Sequence, residues 1–339
     1  MFKGLLRLTA RLLAVREMGI FLVLVAMCIV LALRTRGFAD RGNLLLVARQ
    51  FSMFAAMGVG MTMVIITAGI DLSVGSVLAL SGCAAAKCML WLVPHASASA
   101  VAVAGVLAGL TAGLWCGLLN GLIVSKIRIP PFIVTLGMMS VARGLVYVMT
   151  RGYPITITGV SDEFLYLGQG RVWHVPVPVV SMLAIALVGS VFLSRTRLGR
   201  SIYAVGGNEE AARLSGINVD NVKLVVYSIC GLLAGFAGVT TASHLSSAQP
   251  SSGLTNELDV IAAVIVGGTS LMGGSGTVLG TLIGAALMGV LRNGLILLGV
   301  SANWQLVAIG IVIILAVIFD QFRQRRRERA RTRVRDEVP

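Results

Sequence analysis

The sequence predicts an all-α fold, a polytopic transmembrane helical bundle of about ten spans with both termini in the cytoplasm. Hydrophobic residues make up 57% of the 339-residue chain and charged residues only 12%, against about 25% charged residues in a water-soluble domain. The apolar residues form runs of helical length, not the short alternating segments of an outer-membrane barrel. Lys and Arg concentrate in alternate connecting segments, as they do in helical membrane proteins.

Ten apolar runs count as candidate spans, since about 20 residues of helix cross the hydrocarbon core. An even number places both termini on one side of the membrane. One run, 257–268, is short, so we expect a tilted or broken helix there, with Glu257 and Asp259 as capping residues at its start. The predicted spans are 18–33, 51–69, 72–93, 98–124, 131–149, 174–193, 223–242, 257–268, 277–298 and 303–319.

Basic residues precede the first span, as they precede a secretory signal sequence. However, Arg34 and Arg36 follow it and no small-residue cleavage site is present, so we interpret it as an uncleaved span. The chain then divides into three parts. These are a basic cytoplasmic N-terminus (1–17), a transmembrane domain (18–319) that contains a cytoplasmic loop at 195–222, and an Arg-rich cytoplasmic tail (320–339).

The distribution of basic residues predicts which side each loop faces. With both termini inside, 19 of the 28 Lys and Arg residues fall on the inner side and six on the outer side, which is the bias expected of cytoplasmic loops. The four arginines from Arg34 to Arg49 are an exception that this bias does not explain. The same topology places 150–172 and 244–256 outside and the Gly-rich segment 267–276 inside.

The net charge of +14 does not indicate a nucleic-acid-binding protein. Eight arginines lie between Arg323 and Arg335, directly after the last span, and no aromatic residue follows Phe322 to stack on bases. Basic segments beside membrane spans instead mark the cytoplasmic side and attract anionic headgroups. We therefore expect the tail to contact membrane lipid and no nucleic acid.

Neither the cysteines nor the histidines form a catalytic or metal-binding pattern. The five cysteines lack a Cys-x-x-Cys pair and fall inside apolar runs, where cysteine packs as a small hydrophobic residue. The three histidines do not stand at ligand spacing with acidic partners. No nucleophile and base are paired in the spans. We therefore expect no catalytic residues and no metal site in this chain.

Two predicted spans carry glycine at every fourth position. In the first, glycines stand at 105, 109, 113, 117 and 121, and in the second they stand at 276, 280 and 284. Steps of four residues keep them on one slowly winding face of a helix. Such faces let helix backbones approach closely in lipid, so we expect tight helix packing. A groove that leaves room for a moving helix or a solute is the functional alternative.

Asp71 is the one acidic residue among apolar runs that together cover 51–93. A carboxylate inside a membrane is costly and is a functional candidate by default. Alternatively, an Asp at this break accepts a hydrogen bond from the backbone N–H of Ser73 or Val74. Capping, a place in the solute path and ion coupling therefore stay open for Asp71. Ser73, and Asn120 beside the first glycine ridge, are the other candidates for the solute path.

The longest polar stretch between spans is TRLGRSIYAVGGNEEAARLSGINVDNVK, residues 196–223. Its pattern indicates folded structure rather than a flexible connection. Residues 206–208 predict a turn with Asn208 as a helix N-cap. Glu209 and Glu210 suit the positive start of a short helix, and Gly216 is the expected C-cap. Small alanines within this helix leave room for a partner to close over it.

This helix carries the pattern EAA-xxx-G, formed by Glu210, Ala211, Ala212 and Gly216, which resembles the signature of the permease subunits of ABC importers. Longer stretches resemble one branch of that family, the monosaccharide permeases and above all those for ribose, over most of the chain. The stretches are GMTMVIITAGIDLSVGSVLAL (60–80), TRLGRSIYAVGGNEEAARLSGINV (196–219), YSICGLLAGFAG (227–238), LSSAQP (245–250) and ELDVIAAVIVGGTSLMGGSGTVLGTLIGA (257–285).

The resemblance implies a chain of the bacterial inner membrane whose short cytoplasmic helix docks on a separate ABC ATPase subunit. It also implies a periplasmic sugar-binding protein that delivers the sugar, and a second permease copy as the partner in a homodimer. The residues implied in ATPase coupling are Asn208, Glu209, Glu210, Ala211, Ala212, Arg213 and Gly216.

The chain shows no means of hydrolysing ATP itself. The segment GGTSLMGGSGT has the glycines and hydroxyls of a phosphate-binding loop but lacks its lysine. We therefore expect no cofactor on this chain and MgATP on the partner ATPase. One alternative is a permease of the same family for another small sugar. A second is an ion-coupled secondary transporter that uses Asp71, Glu257 or Asp259 at broken helices, in which the short helix would lack a purpose.

Overall fold

The structure, a computed structural model, describes residues 17–315, 317–318 and 321. Apart from Glu17 and Gln321, the predicted N-terminal segment 1–17 and the predicted tail 320–339 lie outside the described residues. A π-helical turn, Ile123–Ile127, extends the fourth helix. The helices are α1 (Met18–Arg34), α2 (Arg41–Ile66), α3 (Val74–Leu92), α4 (Ala98–Leu122), α5 (Pro131–Thr150), α6 (Asp162–Gln169), α7 (Val177–Arg195), α8 (Arg197–Gly207), α9 (Glu209–Leu214), α10 (Val219–Leu245), α11 (Asn256–Val266), α12 (Val278–Leu297) and α13 (Ala302–Leu315).

The all-α, polytopic prediction is confirmed, although fewer helices meet the length of a full span than expected. Seven helices in the described residues are long and apolar enough to cross a membrane, against the ten predicted. The helices α1 and α13 are apolar but shorter. With 11 residues, α11 is about 16 Å long and cannot cross a core of about 30 Å. The predicted span 257–268 is therefore a short helix, as its length indicated. The seven are α2, α3, α4 with its π-helical turn, α5, α7, α10 and α12.

The boundary of the second predicted span was wrong at its start. The helix α2 begins at Arg41, ten residues before the predicted span 51–69. Apolar residues mark only the part of a helix that lies in hydrocarbon, whereas backbone hydrogen bonds continue into the polar boundary. Two of the four unexplained arginines, Arg41 and Arg49, are therefore residues of the first turns of this helix.

The centre of the bundle is the packing of α4 on α10 through the first glycine ridge. A Cβ atom on Gly113 would overlap the backbone of Gly231 and Gly235, and one on Gly231 would overlap the backbone of Gly113 and Gly117. The two helices therefore meet backbone to backbone, which requires glycine on both sides of the contact. A neighbouring helix fills this part of the predicted groove, which confirms the packing interpretation.

The second ridge packs α12 on α11 in the same way. Cβ atoms on Gly280 and Gly284 would overlap the carbonyl oxygens of Gly267 and Ala263, respectively. An ion pair adds to this contact, because Arg292 Nη2 lies 2.7 Å from Asp259 Oδ2. Asp259, expected as a capping residue, therefore pairs with a charge on the neighbouring helix, as buried charges in membrane proteins usually do.

The short helix α6 covers the end of the bundle where α10 finishes. Gly168 N donates a hydrogen bond to Ser243 Oγ at 2.7 Å, and Gln169 Nε2 donates to Ser246 Oγ at 2.8 Å. Segment 150–172 and the start of segment 244–256, both predicted to be outside, therefore meet at one end of the bundle. Two antiparallel pairs of strands lie in this region, β1 (Ile155–Thr156) with β4 (Ser247–Ala248) and β2 (Arg171–Val172) with β3 (Val175–Pro176).

Candidate functional site

The predicted coupling loop contains one helix more than expected. Thr196 Oγ1 accepts a hydrogen bond from Gly199 N at 2.9 Å and starts α8. Gly206 and Gly207, expected in a turn, are the last residues of that helix. Its buried apolar face, which includes Ile202, packs on the bundle and outweighs the low helix propensity of glycine.

The second helix of the loop, α9, has the predicted N-cap, and Ser215 is its C-cap, one residue before the predicted Gly216. Asn208 separates the two helices, and its Oδ1 accepts from Ala211 N at 2.9 Å, so its role as N-cap is confirmed. Gly216 has φ +81°, a conformation that suits glycine after a helix. Its N–H donates to the carbonyl oxygen of Arg213 at 3.1 Å. Because both ends are closed, six residues form a defined helix.

Ion pairs hold α9 against the start of α10. Lys223 Nζ lies 2.7 Å from Glu209 Oε2, and Arg213 Nη2 lies 3.2 Å from Asp220 Oδ1. Asp220 Oδ2 also lies 3.7 Å from Lys126 Nζ in the π-helical turn. These side chains are partly exposed, so each pair contributes at most about 1 kcal/mol to stability. Together they fix the orientation of α9 relative to α4 and α10.

The outer face of α9 is open to a partner. Glu210, Ala211 and Leu214 are exposed, whereas Ala212 is buried against the rest of the chain. Leu214 is 84% exposed. A single exposed leucine is common on protein surfaces. This one, however, lies on the same short helix as the exposed Ala211, which the sequence analysis expects in contact with a partner. The exposed surface of α9 thus combines a negative charge, a methyl group and a large apolar side chain.

The C-terminal end of α8 touches the bundle where α2 ends. A Cβ atom on Gly206 would overlap the carbonyl oxygen of Ile66, the last residue of α2. The same carbonyl oxygen accepts a hydrogen bond from Gly274 N at 2.9 Å. Tyr203 donates from its hydroxyl group to the carbonyl oxygen of Gly276 at 2.8 Å. We call these five residues, Ile66, Tyr203, Gly206, Gly274 and Gly276, the coupling junction.

The three candidates for the solute path lie together, and two of them, Asp71 and Ser73, follow Ile66 of this junction closely in sequence. Asp71 lies in the break between α2 and α3, and its Oδ1 accepts from Ser73 N at 2.9 Å and from Ser73 Oγ at 2.6 Å. Asn120 Nδ2 donates to Ser73 Oγ at 3.0 Å. The predicted hydrogen bond from the Ser73 N–H is therefore confirmed. All three residues are no more than 1% exposed, which favours a structural role, and their place in a solute path stays a prediction.

The loops predicted to be inside gather at one end of the bundle. Thr277 Oγ1 donates to Glu17 Oε1 at 2.7 Å, so the start of α1 lies beside the end of the Gly-rich segment 267–276. That segment contacts α8 through Gly274, and Lys126 contacts the start of α10. These contacts place the start of α1, the π-helical turn, the Gly-rich segment and the coupling loop together.

Sequence reasoning missed several residues of this site. The sequence did indicate Asp220 and Lys223, because they place a negative and a positive charge at the start of α10, directly after the charged helix α9. Leu214 is the one large apolar side chain among the polar residues 207–216, which was a second signal. Gly206 offered none, because two glycines before an asparagine are equally typical of a turn.

Comparison with a known family gives a match over most of the chain. The family described as the permease component of branched-chain amino acid transport systems matches residues 43–317. The matched range includes the glycine ridges, the coupling loop and the coupling junction.

Individual relatives match over about nine-tenths of the chain. A ribose import permease protein from Escherichia coli strain K12 is 47% identical over 310 residues, which are 91% of this chain and 94% of that protein. One from Bacillus subtilis strain 168 is 45% identical over 306 residues, 90% of this chain and 93% of that protein. A D-allose transport system permease protein from E. coli strain K12 is 37% identical over 301 residues, 89% of this chain and 90% of that protein.

Proposed function

The chain belongs to the family of permease components of branched-chain amino acid transport systems, and on this basis we propose that it is the membrane-spanning permease subunit of an ATP-driven sugar importer. One structural observation, beyond membership of the family, supports a mechanism driven by a separate ATPase. The helix α9 is capped at both ends and held against the bundle by ion pairs, and its outer face is exposed. A transporter driven by an ion gradient has no use for such a docking helix.

The solute is ribose in this proposal. Ribose import permeases of three bacteria are 44% to 47% identical to this chain, whereas the D-allose permease is 37% identical. Relatives within one family share an architecture and differ in solute, so a related small sugar is the alternative. The proposed activity is transport across the bacterial inner membrane, and this chain itself is not an enzyme.

Three partners complete the importer. A separate ABC ATPase subunit binds MgATP and docks on α9, with Glu210, Ala211 and Leu214 in contact. A periplasmic sugar-binding protein delivers the sugar to the end formed by segment 150–172 and the start of segment 244–256. A second copy of the chain pairs with the first around the solute path, and the chain itself binds no cofactor.

Ten helical segments give a topology with both termini in the cytoplasm. Seven helices long enough to span, the shorter helices α1 and α13, and one crossing formed by α11 together with the segment before it make up this number. The contact of Glu17 with Thr277 supports a shared inner side for the N-terminus and the coupling loop. The bias of Lys and Arg toward the same loops supports a cytoplasmic location for that side.

The coupling junction transmits movement of the ATPase into the bundle. Only Asn208 separates α8 from α9, so the two helices move together when the ATPase closes. Gly206 contacts Ile66 directly, and the chain reaches Asp71 five residues later. A displacement of α8 therefore acts first on the break between α2 and α3. In this proposal the hydrogen bonds of Asp71 and Ser73 keep the shape of that break.

Uptake of labelled ribose tests the proposed function. Cells that lack the chain and the same cells with the chain restored are each challenged with a panel of unlabelled sugars. We expect saturable ribose uptake only with the chain present, and ribose as the best competitor. Dependence of another sugar on the chain would replace ribose and keep the permease assignment. Uptake that survives ATP depletion but collapses with a protonophore would contradict an ATP-driven importer.

A further inference from the structure

The chain between α10 and α11 turns back into the middle of the bundle. Gly69 lies against Tyr227 near the start of α10, and Gly82 lies against Gly238 further along it, so α3 runs in the same direction as α10. Gly75 precedes Gly82 by seven residues, so it lies about 10 Å closer to the start of α3. This places Gly75 near the level of the midpoint of α10. A Cβ atom on Gly75 would overlap the carbonyl oxygen of Gly253. Gly253 therefore lies at about half the depth of a helix that ends at Leu245.

This returning segment has an irregular backbone, and several of its residues are exposed. Gly253 has φ +71° and Thr255 has φ +65°, and Ser251, Leu254 and Thr255 are exposed. Irregular backbone at membrane depth is stable only where protein buries it or where it lines a water-filled cavity. Three of its residues are exposed within the chain, so the chain by itself does not bury this segment completely.

Charged side chains meet the same segment. Arg143 Nη1 on α5 donates to the carbonyl oxygens of Pro250 and Ser252 at 2.7 and 2.9 Å. The Glu257 carboxylate, in the first turn of α11, lies beside Gly75. Charged residues inside membrane segments face a protein interior or an aqueous cavity. We call Arg143, Ser251, Ser252, Thr255 and Glu257 the re-entrant surface.

We propose that the re-entrant surface lines the solute path at the middle of the membrane and forms hydrogen bonds with the hydroxyl groups of the passing sugar. This inference rests on the proposed function and assigns the path to residues other than the buried Asp71, Ser73 and Asn120. Carboxylate oxygens accept hydrogen bonds from sugar hydroxyls, and the hydroxyls of Ser251 and Thr255 both donate and accept. The solute class that fits is a small, uncharged, polyhydroxylated molecule.

Cysteine reactivity at the exposed positions of this surface tests the assignment. Ser251→Cys and Thr255→Cys are made in a full-length chain whose five native cysteines are replaced and which still transports ribose. Thr111→Cys is the matched control, because Thr111 is an exposed threonine in the middle of α4 on the face opposite its glycine ridge. Membranes containing each variant are treated with a charged methanethiosulfonate reagent, with and without ribose.

We expect both cysteines of the re-entrant surface to react at least about tenfold faster than the control, since the thiolate, which needs water to form, is the nucleophile that attacks the reagent. Ribose should slow the reaction at these two positions only. Reaction as slow as that of Thr111→Cys would overturn the proposal. Spontaneous cross-linking of two copies through these cysteines, with no access for the reagent, would also overturn it and would identify a subunit interface.

Two further measurements separate this proposal from the proposed function. If the chain without native cysteines transports ribose but the two introduced cysteines do not react, only the assignment of the path is refuted. Absence of all sugar uptake would refute the proposed function, whereas the reagent would still report whether the surface faces water. Glu257→Gln should raise the KM for ribose uptake several-fold with a smaller change in the maximal rate. An unchanged KM would remove Glu257 from the sugar contacts.

Discussion

Glu209 and Glu210 are adjacent residues with the same charge and different environments. Glu209 lies 2.7 Å from Lys223 and 3.6 Å from Arg213, so it holds α9 in place. Glu210 is exposed and makes no ion pair with the part of the chain that the structure describes. A substitution at 209 therefore acts on the position of the helix, and one at 210 acts on what approaches it.

Reversal of charge at Glu210 should abolish transport without unfolding the chain. We expect Glu210→Lys to insert at the normal level and to reduce ribose uptake at least about tenfold. An ATPase surface that complements Glu210 would repel the lysine, and like charges at an interface cost more than about 1 kcal/mol. Glu210→Gln, which keeps the shape of the side chain, should retain part of the activity. Normal uptake by the lysine variant would remove Glu210 from the coupling surface.

Leu214 should contribute to docking through its apolar surface. Leu214→Ser should lower the affinity for the ATPase subunit about tenfold, since burial of a leucine side chain is worth about 1.5–3 kcal/mol. Thermal stability of the purified chain should stay within about 0.5 kcal/mol, as for other surface substitutions. Leu214→Met serves as the control and should restore binding. A serine variant that binds the ATPase normally would place Leu214 outside the interface.

At the scale of elements, apolar runs predicted most of the helices that lie in the membrane. They did not predict α8, because an amphipathic helix on the bundle surface has no long apolar run, and its final glycines imitate a turn. They also misplaced the start of α2, because the polar residues around Arg49 continue the helix beyond the apolar run. The pairing of α4 with α10 was not predictable, since the sequence shows that a glycine face exists but not which helix meets it.

Two adjacent glycines at the end of α8 offer a test of the coupling junction. A Cβ atom on Gly206 would overlap the carbonyl oxygen of Ile66, whereas one on Gly207 would have no atom within 4 Å in the described part of the chain. Gly206→Ala should therefore push α8 away from α2 and reduce ribose uptake strongly. Gly207→Ala should leave uptake near the normal rate. Equal effects of the two variants would contradict a direct mechanical contact at Gly206.

The measurement that locates this defect is ATP hydrolysis by the assembled importer. If the junction transmits movement, Gly206→Ala should still bind the ATPase subunit, and its ATP hydrolysis should no longer respond to the sugar-loaded binding protein. Complete loss of ATPase binding would instead indicate that α9 has lost its orientation. The EAA-xxx-G pattern predicted the short helix and its exposed Glu210 and Ala211, but it also included Ala212, which is buried. The junction was not predicted, because its contacts join residues far apart in the sequence.

For the whole molecule, the grouping of loops at two ends of the bundle predicts which residues an impermeant reagent reaches. Asp162→Cys, at the start of α6, should react in intact cells. Ser215→Cys, at the end of α9, should react only after the membrane is permeabilised. Both are made in the chain without native cysteines, and both residues are exposed. Reaction of both positions in intact cells would contradict a cytoplasmic coupling loop.

The short length of α11 has a consequence for how the chain enters the membrane during synthesis. An 11-residue helix that follows a polar segment is too short to be recognised as a membrane segment by itself. We expect it to stay outside the bilayer until α12 has emerged, when Arg292 and the glycines of α12 provide its binding surface. The last quarter of the protein would then insert as one unit, late in biogenesis. A nascent chain stopped before residue 278 should consequently hold its final 30 residues outside the lipid.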